Sequence, residues 1–92
     1  MSEIICRSIT IRGKVQGVFF RQHTKAKADT LNINGFVRNE SDGTVFILAE
    51  GKYEDIEKLI VWCHQGSPLA IVSKVEMAEA AIQNFKDFSI RR

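Results

Sequence analysis

Arg21 and Asn39 are the polar side chains whose neighbourhoods in the chain best suit chemistry on an anion. Arg21 closes the run Gly13-Lys14-Val15-Gln16-Gly17-Val18-Phe19-Phe20-Arg21. Glycines at 13 and 17 allow backbone conformations closed to other residues, so successive N–H groups can converge on one point. A helix opening just downstream adds unpaired N–H donors and a partial positive charge. A guanidinium in its first turn presents a planar fork that suits oxyanions such as phosphate. Equally, these residues make a tight strand-to-helix connection followed by a solvated arginine. Neither a P-loop nor a dinucleotide fingerprint is present to separate the two readings.

Asn39 stands at the end of an apolar run, just before Asp42-Gly43. An amide at a strand end can position a water or a ligand oxygen. Asparagine is also a common turn flank, because it bonds its own neighbouring backbone. Other chemistry is weakly signalled. His23 and His64 fall on different predicted helices, without carboxylate or cysteine partners at metal-ligand spacing. Cys6 and Cys63 read as small apolar side chains kept reduced. Ser8, Ser41 and Ser67 lack a nucleophile elbow. Phe19, Phe20 and Phe36 read as core or cleft walls, since GFVRNESD lacks the basic-aromatic pattern of an RNA-stacking strand.

The elements that must position these residues follow from periodicity. Ile4 to Arg12 alternates apolar and polar side chains and predicts a half-buried strand, ended by the loop from Gly13 to Gly17. From Arg21 to about Ile33, the residues Phe20, Thr24, Ala28 and Leu31 share one helical face, and Asn34-Gly35 is the expected stop. Phe36 to Asn39 and Thr44 to Ala49 flank Asp42-Gly43, a strong hairpin signal. Tyr53 to Gln65 carries the stripe Ile56, Leu59, Ile60 and Cys63, with acids early and Gly66 and Pro68 after it. A fourth strand is predicted over Ile71 to Ala78 and a short fifth over Phe85 to Ile90.

This order, β-α-β-β-α-β plus a small strand, predicts an α+β fold. It is the ferredoxin-like split βαβ sandwich, an antiparallel sheet with both helices on one face. Ninety-two residues without a linker or repeat make residues 1–92 one expected domain. No apolar stretch approaches a membrane span, and MSEIICRSI lacks a secretory n-region and h-region, which points to the cytoplasm and away from membranes. A net charge of +2 would favour small anions but is not the dense basic stripe of a nucleic-acid binder.

Together the segments IRGKVQGVFFR at 11–21 and GFVRNESDGTVFILAEG at 35–51 resemble the two signature segments of the acylphosphatase family. One is a G-x-V-Q-G-V-x-F-R stretch, met at Gly13, Val15, Gln16, Gly17, Val18, Phe20 and Arg21. The other is met at Gly35, Phe36, Val37, Asn39, Gly43, Val45 and Gly51. QGSPLAIVSKVE and the final FKDFSIRR are also similar to later family segments, so the resemblance covers nearly the whole chain. It implies a monomeric hydrolase that cleaves acyl phosphates to a carboxylate and inorganic phosphate, without metal or cofactor. Arg21 would hold the phosphate and Asn39 would orient the attacking water. Backbone N–H groups of Lys14, Val15, Gln16, Gly17, Val18 and Phe19 would bind the phosphate oxygens, with Gly13 opening the loop. Inorganic phosphate would bind competitively. A phosphate- or carboxylate-binding module without turnover is the alternative on the same scaffold.

Overall fold

A computed structural model describes residues 3–92. The elements are β1 (Ile4–Lys14), α1 (Phe20–Thr30), β2 (Asn34–Asn39), β3 (Val45–Lys52), α2 (Tyr53–Gln65), β4 (Ile71–Glu79) and β5 (Phe88–Arg91). They build a five-stranded sheet in the order β4-β1-β3-β2-β5. β1 pairs antiparallel with β3 and β4, and β2 pairs antiparallel with β3. Two crossover helices joining such strands give the ferredoxin-like arrangement.

The period of two along the strands decides what faces the helices. Ile9 and Ile11 of β1, Val37 of β2, and Val45, Ile47 and Ala49 of β3 are all fully buried. They pack with Phe20 and Ala28 of α1 and with Ile56, Leu59, Ile60 and Cys63 of α2 in one cluster. Each large apolar side chain buried there contributes roughly 1.5–3 kcal/mol. The opposite face carries a smaller cluster, Cys6, Phe36 and Leu48, packed by Phe46, Ala80 and Phe85. Both helices therefore lie on one face. Asn39 has the parity of Val37, which places it on the helix side, near the start of α1.

The sheet is mixed and not wholly antiparallel, because β5 joins β2 in parallel. After β4 the chain crosses the open face and enters the far edge in the direction of β2. Glu50 makes the crossing possible. Its buried carboxylate accepts the backbone N–H groups of Gln83, Asn84 at 3.2 Å and Phe85 at 2.9 Å. The Gly35 N–H then donates to the Asp87 carbonyl at 2.8 Å.

Two local boundaries differ from expectation. β1 runs on through Gly13 to Lys14, because a bulge between Arg12 and Gly13 keeps both residues paired with β4. The free loop is therefore 15–19. α1 stops at Thr30, with Asn32 and not Asn34 in the left-handed conformation, φ 56°. Burial of Ile33 to 1% exposure turns the chain inward early, and Asn34 and Gly35 already belong to β2.

Candidate active site

The loop from Val15 to Phe19 is pinned from several sides. Val15 and Val18 are buried. The Ser67 hydroxyl, itself buried just after α2, donates to the Val18 carbonyl at 2.8 Å. The Gln16 amide nitrogen donates to the carbonyls of Glu40 and Thr44, both at 2.8 Å, which ties the loop to the β2–β3 turn. Gly17 sits at φ 75° with open space around the position of a Cβ, so its requirement is conformational. Gly13, by contrast, lies within β1, where a Cβ would stand 2.2 Å from the Ile71 carbonyl oxygen. Its role is the close approach of β4.

α1 begins with no side-chain cap and no acid in its first turn. The His23 N–H is bonded to the Phe19 carbonyl at 3.2 Å, so the N–H groups before it have no partner within the helix. The positive end of the helix is left uncompensated. Arg21 extends from this turn and donates through Nη1 to the Arg91 carbonyl of β5 at 3.0 Å. That single bond leaves most of the guanidinium's donors available.

A cavity of about 210 Å³ opens here, with Val15, Gly17 and Phe19 of the loop, Phe20, Arg21 and Gln22 of α1, and Asn39 in its walls. Arg21 and Asn39, named from the sequence, are thus brought to one cavity. Lys14, Gln16 and Val18 alternate with the wall residues: Lys14 ends β1, Gln16 clamps the turn and Val18 packs inward. The amide oxygen of Asn39 is buried and has no hydrogen-bond partner among the described residues. The turn has its own cap, since Asp42 Oδ1 accepts from the Thr44 N–H at 3.0 Å and the Thr44 hydroxyl at 2.7 Å. Those bonds, the hydroxyl first, hold the Asp42 carboxyl below the usual carboxylate range, with Arg12 adding to the effect.

Three supports escaped the sequence reading: the Gln16 side chain, the Ser67 hydroxyl and the Arg91 carbonyl. A serine directly after the helix-ending Gly66 was a faint signal, Gln16 was marked only as a position of the family segment, and the Arg91 carbonyl had no signal.

A sequence model of the acylphosphatase family matches residues 7–90. The chain belongs to the acylphosphatase family. It is 48% identical over 92 residues to an acylphosphatase of Acaryochloris marina, covering 100% of this chain and 99% of that one. The solved acylphosphatase of Coxiella burnetii superposes with a TM-score of 0.93 at 40% identity, covering 96% of this chain and 93% of that one. The acylphosphatase of Bacillus subtilis matches at a TM-score of 0.93 and 32% identity, covering 98% and 100%. Membership of the acylphosphatase family makes the chain an enzyme, a hydrolase of acyl phosphates. Among the described residues no helix is long and apolar enough to cross a membrane.

Proposed function

We propose that residues 1–92 act as one monomeric, metal-independent catalytic unit. In it the N–H groups of residues 14–19 and the Arg21 guanidinium bind the phosphate, and the Asn39 amide oxygen orients the attacking water. One observation carries this reading: a buried amide acceptor without a partner, Asn39 Oδ1, in the wall of the cavity that also holds Arg21. Buried polar atoms are normally bonded, and a water donating to this one would be held at a fixed point beside the phosphate site.

The chemistry needs little more. Water attacks phosphorus as the bond from phosphorus to the acyl oxygen breaks. A carboxylate leaves, and dihydrogen phosphate carries both of the water's protons. A carboxylate is a good leaving group, so no proton donor is required. Phosphoryl transfer then depends on alignment and on compensation of charge at the equatorial oxygens. Preorganised N–H dipoles and one guanidinium supply that compensation without rearranging. The bound phosphate takes the water's proton, so the rate should not follow the titration of a protein side chain.

Phosphate release from benzoyl phosphate in the presence of a chelator tests the scheme. Asn39→Ala should lower kcat by about a hundred- to a thousand-fold with little change in KM. Arg21→Ala should raise KM at least about ten-fold and lower turnover too. Inorganic phosphate should inhibit competitively, and less well in the Arg21 variant. Full activity in Asn39→Ala would remove the role given to the amide, and loss of wild-type activity to the chelator would remove metal independence.

A further inference from the structure

Of the chain's six phenylalanines, Phe19 alone is left open to solvent, at 64% exposure. Phe20 packs on Trp62 at 5.4 Å between ring centroids, Phe36 meets Phe46 and Phe85 at 6.0 and 5.9 Å, and Phe88 is buried. Phe19 also holds a backbone conformation that its side chain disfavours, φ 59° and ψ 26°, in the left-handed region. Glycine or asparagine would make the same turn at lower cost. An exposed ring and a strained backbone thus coincide at one position, and the fold gains no core packing from it in return. Such strain is typical of functional positions.

The cavity explains what the ring could meet. Its 210 Å³ is below the roughly 300 Å³ at which pockets begin to enclose whole small ligands. A phosphate placed at Arg21 and the helix start takes up part of that room, and an acyl chain of several carbons extends past it towards the rim. Phe19 is a wall residue of the cavity and presents apolar area to solvent. We propose that the Phe19 ring is the platform for the acyl group, and that it biases the enzyme towards acyl phosphates with extended apolar or aromatic acyl groups over acetyl phosphate. This rests on the phosphate site argued above.

A straight-chain series of acetyl, butanoyl and hexanoyl phosphate tests it, because the three carboxylates leave equally well and differ only in apolar length. In the wild-type protein kcat/KM should rise along the series by about two- to four-fold per methylene that reaches the ring. Phe19→Asn keeps the left-handed turn, so it should raise Tm, by roughly 4 °C, yet flatten the series to within about two-fold from end to end. Phe19→Leu should keep at least half of the slope. A slope retained in Phe19→Asn overturns the proposal, as does a flat series in the wild-type protein; in either case the hydrolytic reading stands. Absence of phosphate release from every member of the series would overturn that reading, and this proposal with it.

Discussion

A buried amide oxygen without a partner, as in Asn39, costs about 1–3 kcal/mol while it stays unbonded. From sequence alone this residue was ambiguous, a turn flank or a water holder. In the structure Asp42 caps the turn by accepting twice from Thr44, and the Asn39 oxygen takes no part in that cap. Arg21 was legible because it closes a recognisable segment, but its orientation was not, since its partner carbonyl belongs to Arg91 at the other end of the chain. The cysteines are a simpler case at the same scale. Burial raises the Cys63 thiol to about 12, and burial with the Glu50 charge raises Cys6 to about 11. Both stay protonated and poorly nucleophilic at neutral pH. An aromatic disulfide reagent at pH 8 should therefore titrate no thiol in the folded protein and both after denaturation. Rapid reaction of either in the native state would show that the buried environment is wrong.

At the scale of elements, the site depends on a loop and a hairpin locked together. Gln16 bridges them with two bonds to the turn's carbonyls. The Asp-Gly turn was readable from two residues because its conformational demand is local. The limits of the loop were not, because a bulge in β1 against β4, distant in sequence, carries pairing through Gly13 and Lys14. The hairpin also has a pH dependence with a definite sign. Asp42 is held below the ordinary carboxylate range, chiefly by the Thr44 hydroxyl. Its stabilising effect is complete above that ordinary range and is lost as pH falls through the lowered value. Asp42→Ala should therefore melt below the wild-type protein at pH 7, and the gap in Tm should close towards about pH 2. A gap that is the same at both pH values would mean that the carboxylate charge does not act through the turn.

For the whole molecule, the far edge of the sheet reaches back to the chemistry. Glu50 ties down residues 83–85, β5 then runs parallel to β2, and the Arg91 carbonyl at its end receives Arg21. Deleting Arg91 and Arg92 removes that acceptor but spares Phe88, the buried anchor of β5. The shortened chain should stay folded by circular dichroism and lose roughly three- to ten-fold in kcat/KM, with weaker inhibition by inorganic phosphate. Unchanged kinetics would mean that Arg21 is aimed without help from β5. Strand and helix identities, the hairpin turn and the candidate pair Arg21 and Asn39 were all determined by the sequence itself, because periodicity, turn chemistry and a recognisable segment each act over a few neighbouring residues. Tertiary structure alone decided the parallel seat of β5, the end of the loop at Val15, the clamps from Gln16 and Ser67, and the unpaired state of the Asn39 oxygen. Each of these is set by which distant backbone group happens to face a given donor or acceptor, and no local pattern in the chain records that.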